Sequence, residues 1–215
     1  MPPNPKAKRL FLALWPGFGV RDGLRERRET LCPRSGRWVP VDNFHVTLAF
    51  LGNVTLENIA LLEKSVSGIR CEGFSIQLDW ICQAPSQGMI WAVPGTVPLE
   101  LPELVRKLRG AIAEPGLRVD ARPYRPHVTL VKKFRGSLQP FRVHPLGWQV
   151  RGFALVESML CTEGTIYTVR RTWAAGRFDG LPRSDRLQAS AGVVWPVCRA
   201  TSAAPVMKKW TRSYR

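Results

Sequence analysis

The spacing of apolar residues along the chain predicts strands interrupted by three helices. Alternation of apolar and polar positions indicates a strand, whereas apolar residues three and four apart indicate an amphipathic helix. The helices predicted on this basis are Val20–Leu31, Thr55–Gly68 and Leu101–Ile112. The predicted strands are Arg9–Leu14, Asn43–Leu51, Phe74–Cys82, Met89–Val93, Leu117–Ala121, His127–Val131, Trp148–Leu160 and Thr165–Trp173. In the third of these strands, alternation places on one face Phe74, Ile76, Leu78, Trp80 and Cys82.

The order of these elements favours an α+β fold made of two similar halves. Each half of the chain contributes a strand, a helix and further strands. We expect this body to span residues 1–180. The remaining residues, 181–215, carry seven Lys or Arg residues against one Asp and lose clear periodicity. That composition is typical of a flexible basic tail.

The net charge points to an anionic partner. Thirty-two Lys and Arg residues against 16 Asp and Glu give the chain a net charge of +16. A folded protein this basic usually meets nucleic acid, a phosphorylated ligand or an anionic membrane. No lipidation motif and no amphipathic segment suited to a membrane surface supports the last of these partners, so we expect no membrane partner. The hydrophobic fraction of 45% and the charged fraction of 22% also exclude wholesale disorder.

The five cysteines favour a reducing compartment. Their number is odd and no two form a C-x-x-C pair. A disulfide framework or a zinc site is therefore not expected, and the cytoplasm is the predicted location. Because nothing in the sequence demands an oligomer, we expect a monomer.

The tetrapeptide His-Val-Thr-Leu occurs twice, at residues 45–48 and 127–130. These copies use two of the three histidines in the chain. In a strand, the histidine and threonine of each copy point to one face while the valine and leucine point to the other. If a pseudo-two-fold axis relates the halves, both polar pairs meet in one cleft.

Two imidazoles and two hydroxyls suit metal-free chemistry on a phosphate. A neutral ring of His45 or His127 can take a proton from water, and a protonated ring can give one to a leaving oxygen. The hydroxyls of Thr47 and Thr129 can donate hydrogen bonds to phosphate oxygens. A zinc site would need further ligands, and only His144 remains, so no metal site is expected.

The doubled motif in this context resembles the two-histidine phosphoesterase superfamily, in particular its RNA 2',3'-cyclic phosphodiesterase branch, also called the 2'-5' RNA ligase family. The resemblance covers roughly residues 8–175 and not the tail. The segments that carry it are Arg9–Leu14, Arg37–Val39, Asn43–Gly52, Arg122–Leu130, Ser158–Gly164 and Tyr167.

This resemblance implies a bilobal fold, with an antiparallel sheet in each lobe and the tetrads facing each other across a cleft. It implies hydrolysis of a 2',3'-cyclic phosphate at an RNA 3' end to a 2'-phosphomonoester, without cofactor or metal, and with 2'-5' ligation as the reverse reaction. By resemblance, His127 would be the general base and His45 the general acid, although a cyclic diester can be opened from either side. Thr47 and Thr129 would hold the phosphate.

Two more positions follow from the resemblance. Phe50 matches a position beside the nucleoside, but its place in the alternation fits a core residue equally well. Lys132 stands where relatives more often carry Arg, which keeps the positive charge and loses the bidentate fork. The alternatives to this function are a non-catalytic RNA-binding module and a phosphodiesterase acting on another nucleotide phosphoester.

Overall fold

The computed structural model describes residues 7–31, 35–84, 88–120, 122–162 and 164–176. The predicted tail at 181–215 and the predicted boundary at residue 180 lie outside these ranges. The helices are α1 (Phe18–Glu29), α2 (Leu56–Ser67) and α3 (Glu100–Ala113), with a short 3-10 helix at Val41–Asn43. The strands are β1 (Ala7–Leu14), β2 (Arg37–Trp38), β3 (Val46–Thr55), β4 (Phe74–Gln83), β5 (Ile90–Pro94), β6 (Val128–Lys132), β7 (Phe141–Val150), β8 (Gly152–Cys161) and β9 (Gly164–Ala174).

The strands form one antiparallel sheet whose order is symmetric about its middle. That order is β7-β4-β5-β6-β3-β1-β8-β9, with β2 paired beside β6. We call β3, β1, β8 and β9 half-sheet A, and β6, β5, β4 and β7 half-sheet B. In each half the strand of a His-Val-Thr-Leu copy is innermost, and next to it lies β1 in half-sheet A and β5 in half-sheet B. The predicted α+β fold with two similar halves is confirmed.

The core lies on the face of the sheet that the helices cover. Helix α1 packs against β6 and β7, while α2 and α3 pack against each other and against β3. The side chain of Thr55 caps α2 by accepting a hydrogen bond from the backbone nitrogen of Asn58 at 3.3 Å. The predicted apolar positions of α3 are all buried, and burying each such side chain contributes roughly 1.5–3 kcal/mol. They are Leu101, Leu104, Val105, Leu108 and Ile112.

Two predicted strands are wrong, and the sequence pattern misses most of β7. The predicted strand at Leu117–Ala121 is absent from its described part, residues 117–120. The predicted strand Trp148–Leu160 is two strands, since the chain turns at Arg151 before Gly152, whose φ is +145°. Strand β7 has mostly exposed side chains, so it gives no apolar alternation for its first seven residues.

The predicted apolar face of β4 is correct only up to Leu78. A register shift lies between Leu78 and Trp80 in the pairing of β4 with both neighbours. Ile81 is consequently buried in the core, whereas Trp80 and Cys82 are only partly buried.

Candidate active site

The two tetrads meet at the junction of the half-sheets. Strands β3 and β6 pair antiparallel through Val46 and Val128, the valines of the two copies. Because the paired residues are equivalent, a local two-fold axis passes between them. Continuing this register by one residue places each histidine across from the threonine of the other copy. Such cross-strand neighbours have Cβ atoms about 4.5–5.5 Å apart.

The polar and apolar residues of the tetrads face opposite sides of the sheet. Val46 and Val128 are buried in the core under the helices. The histidines and threonines line a cleft of about 820 Å³ on the other face. The histidines themselves lie one residue before their strands, which begin at Val46 and Val128. All six site residues that were predicted from the sequence line this cleft: His45, Thr47, Phe50, His127, Thr129 and Lys132.

Each catalytic candidate is oriented by the carbonyl oxygen two residues before it. Nδ1 of His45 lies 2.7 Å from the carbonyl oxygen of Asn43. Nδ1 of His127 lies 2.7 Å from that of Arg125. A carbonyl only accepts, so each Nδ1 carries a hydrogen and Nε2 of the neutral ring keeps its lone pair. Nε2 of His45 lies 3.1 Å from Oγ1 of Thr47. In each ring, Nε2 is therefore the atom that is available to accept a proton.

Aromatic rings surround both imidazoles. The ring centroids of Phe11, Trp15 and Tyr167 lie 4.8, 5.7 and 5.2 Å from that of His45. The indole of Trp91 stacks on the imidazole of His127 at 3.9 Å with an interplanar angle of 22°. Sequence reasoning did not assign Phe11 or Trp15 to the site. The signal was present, because Phe11 in β1 and Trp15 directly after it alternate with the core residues Leu10, Leu12 and Leu14.

This enclosure disfavours the protonated form of both rings. Burial lowers the pKa of His45 to about 4; the hydrogen bond to Asn43 opposes this effect, and repulsion from a protonated His127 and from Lys132 reinforces it. Burial also lowers the pKa of His127. An anion placed between the rings would shift both pKa values upward, because it stabilises the imidazolium.

A β-bulge turns Phe50 into the cleft. Leu12 of β1 pairs with Ala49 and the next residue, Ala13, pairs with Thr47, so Leu48 is an extra residue in β3. Simple alternation would send Phe50 into the core. The bulge instead gives it the same face as Thr47, and its side chain is 54% exposed. The core interpretation of Phe50 is wrong for this reason.

An equivalent bulge turns Lys132 into the cleft. Ile90 of β5 pairs with Val131 and Trp91 pairs with Thr129, which leaves Leu130 unopposed in β6. The interruption of the alternation brings Lys132 to the face of Thr129. Burial and the nearby charge of Arg37 lower the pKa of its ammonium group.

Neither a metal-binding cluster nor a membrane-spanning helix is found among the described residues. Across the described ranges, no three His, Cys, Asp or Glu side chains cluster as a metal site would require. Within the same ranges, no helix has the length and apolar character needed to cross a membrane.

Comparison with known proteins gives consistent results. Residues 19–91 match the family described as LigT like phosphoesterase. The chain is 33% identical to the RNA 2',3'-cyclic phosphodiesterase of Escherichia coli over 78% of this chain and 96% of that protein. It is 31% identical to the protein of the same name from Thermus thermophilus, over 75% of this chain and 87% of that protein.

Solved structures show the same fold. The crystal structure of E. coli LigT with 3'-AMP matches with a TM-score of 0.73 at 30% identity, covering 80% of this chain and 99% of that one. The TT0787 structure from T. thermophilus matches with a TM-score of 0.65 at 28% identity, covering 77% and 97%. With a relative above 30% identity covered over nearly its whole length, and with the same fold, the chain belongs to the LigT-like family of two-histidine phosphoesterases.

Proposed function

We propose that this protein is an RNA 2',3'-cyclic phosphodiesterase that opens the cyclic phosphate at RNA 3' ends to a 2'-phosphomonoester. The observation that carries the proposal is the pairing of Val46 with Val128, which sets two His-x-Thr motifs face to face. The E. coli and T. thermophilus relatives bear this activity as their name. E. coli LigT has also been crystallised with 3'-AMP and with phosphate, both of which resemble parts of the proposed substrate.

In the proposed reaction one imidazole takes a proton from the attacking water and the other gives a proton to the leaving oxygen. Nε2 of His127 takes a proton from water as the water oxygen bonds to phosphorus. The bond from phosphorus to the ribose O3' breaks, and Nε2 of His45 gives its proton to the departing oxygen. The product is a 2'-phosphate with a free 3'-hydroxyl. His127 then releases a proton to solvent and His45 takes one up, which restores the starting state.

The remaining residues of the site hold the substrate. The hydroxyls of Thr47 and Thr129 donate hydrogen bonds to the non-bridging oxygens, and Lys132 supplies a compensating positive charge. Thr47 lies within hydrogen-bond distance of His45 in the empty cleft and is therefore close to where the phosphate would lie. The exposed ring of Phe50 can stack on the terminal base. Reversal of the same steps would join a 5'-hydroxyl to the cyclic phosphate as a 2'-5' bond.

The test compares histidine variants on a short RNA that ends in a 2',3'-cyclic phosphate, with EDTA present. We expect wild type to form a 2'-phosphate, and His45→Ala and His127→Ala each to lose on the order of 10²–10⁴-fold in kcat. His144→Ala is the matched control, since this third histidine lies on β7 away from the cleft lining. Wild-type activity that survives both tetrad substitutions would contradict the proposal.

RNA affinity of the same variants separates the alternatives. A protein that binds the RNA but does not turn it over would be a binding module, and turnover of another phosphoester alone would change the substrate. A monomeric state and a cytoplasmic location stay predictions of this proposal. The free thiols of Cys71 and Cys161 support the cytoplasmic location.

A further inference from the structure

Positive charge is distributed unevenly around the cleft. Among the described residues that line it, five are Lys or Arg and one, Asp120, is acidic. Arg9 on β1 is the single cation of half-sheet A in this lining. The others lie on β6, on α3 or on the connection between them: Arg109, Arg122, Arg125 and Lys132. We call the three arginines of this set the basic wall.

A cyclic phosphate alone does not account for the basic wall. A 2',3'-cyclic phosphate diester carries one negative charge, and Lys132 already stands beside the histidines to balance it. Within the described ranges, one wall arginine, Arg122, is neutralised, because it forms hydrogen bonds to both carboxylate oxygens of Asp120. This interaction lowers the pKa of Asp120 to about 2 and keeps it ionised.

The other two wall arginines hold their charge at the cleft. Arg125 is exposed, and it forms no ion pair with any described residue. Its backbone carbonyl holds Nδ1 of His127, so its side chain starts two residues from a catalytic ring. Arg109 donates from Nη2 to the carbonyl oxygen of Arg122 at 3.0 Å, which ties the wall to α3. Neither guanidinium forms an ion pair with a described carboxylate, although Asp120 is near enough to Arg109 for the charge of Arg109 to lower its pKa. Guanidinium groups that face a cleft in this way suit phosphate oxygens.

The opposite side of the cleft is aromatic. The exposed ring of Phe50 and the partly exposed ring of Tyr167 lie there on half-sheet A. Phe11 on half-sheet A and Trp91 on half-sheet B are both buried, each against the imidazole of its own half-sheet. The terminal base therefore has stacking partners on half-sheet A alone. With the reacting phosphate between the histidines, the upstream strand leaves across half-sheet B.

We infer that Arg109 and Arg125 bind the internucleotide phosphates immediately 5' of the reacting terminus, so that the preferred substrate is an oligonucleotide rather than a nucleoside cyclic phosphate. This inference rests on the proposed function. It assigns the wall a specificity role, because contacts to upstream phosphates act on RNA of any sequence. Length, and not base identity, is then what this side of the cleft recognises.

The experiment measures kcat/KM for a nucleoside 2',3'-cyclic phosphate and for a tetranucleotide with the same cyclic end. We expect wild type to prefer the tetranucleotide, and Arg125→Ala and Arg109→Ala each to lower that preference about tenfold, the effect of one lost charge-assisted hydrogen bond. Each substitution should also reduce the salt slope of tetranucleotide binding by about 0.7. Arg125→Lys should restore most of the slope, because it keeps the charge.

Arg106→Ala is the matched control. Arg106 lies on α3 one turn before Arg109, is paired with Glu103 and does not line the cleft. It should keep both the preference and the slope, and thermal unfolding of every variant checks that the fold is intact.

The outcomes separate this inference from the proposed function. Equal kcat/KM for both substrates in wild type would overturn the inference while the function stands. An equal loss on both substrates in Arg125→Ala would place the arginine on the terminal phosphate and would also overturn it. Turnover of neither substrate would overturn both.

Discussion

Binding of a cyclic phosphate should take up a proton, because the empty cleft disfavours an imidazolium that the reaction requires. The pKa of His45 in the empty cleft is about 4. A monoanion about 4 Å from a cation contributes roughly 4 kcal/mol at the effective dielectric constant of about 20 that applies near protein surfaces. At about 1.4 kcal/mol for each pKa unit, the bound anion raises the pKa of His45 to near 7.

The magnitude of the uptake follows from these two values. At pH 6, about 1% of His45 is protonated before binding and about 90% afterwards, an uptake of about 0.9 proton. The Kd should rise about tenfold per pH unit between pH 4 and 7 and level off above pH 7, where neither state holds the proton. The cyclic phosphate remains a monoanion throughout, so the ligand itself adds no titration.

Calorimetry on the His127→Gln variant measures this uptake. The substitution removes the proposed base, so the cyclic phosphate persists, and it leaves His45 as the titrating ring of the pair. Binding enthalpies at pH 6 in buffers of different ionisation enthalpy give the number of protons taken up. The double variant His45→Gln/His127→Gln is the control in which neither imidazole can take up a proton. A Kd independent of pH from 5 to 8, or an uptake equal in both variants, would refute the reasoning.

Two further predictions concern single side chains. Lys132→Ala should raise KM about tenfold, since it removes a charged hydrogen bond to the phosphate, while Lys132→Arg should keep KM near that of wild type. Steady-state kinetics measure both values, and an unchanged KM for the alanine variant would count against the contact. Gly152→Ala should lower the free energy of unfolding by about 3 kcal/mol or more, because the φ of +145° is strained for alanine and the new Cβ would overlap the Trp173 carbonyl. Gly110→Ala on α3, which meets no atom within 4 Å, is its control and should be neutral or stabilising by about 1 kcal/mol in urea unfolding; equal unfolding midpoints for the two variants would contradict the strain argument.

Local pattern predicts an element well when one face of that element decides its packing. Helix α2 is the clear case, since its capping Thr55 and its terminal Gly68 are both readable from sequence. Strand β7 is the opposite case. Its side chains are mostly exposed, so pairing with β4 rather than an apolar alternation makes it a strand. The segment 117–120 shows the converse error, because apolar residues there found no partner strand among the described residues.

Alternation predicts the positions of the site residues correctly up to the threonine of each tetrad but not beyond it. It placed the histidines and threonines on one face, and their cleft lining agrees with that placement. It could not place Phe50 or Lys132, because each depends on a bulge at the preceding leucine, Leu48 or Leu130. A bulge is set by register with a neighbouring strand, and a single strand's sequence does not encode that register.

The two-fold relation that assembles the site would, if perfect, make it unable to choose between ester oxygens. A cyclic phosphate could then bind in either of two orientations and yield both 2'- and 3'-phosphates. The equivalent positions after the tetrads differ, however, since one carries the ring of Phe50 and the other the ammonium of Lys132. The residues across from the threonines differ as well: Ala13 faces Thr47, while Trp91 faces Thr129 and stacks on His127. The symmetry of the backbone thus supplies two equivalent imidazoles. In the proposed reaction, these unequal neighbours would decide which imidazole meets the leaving oxygen.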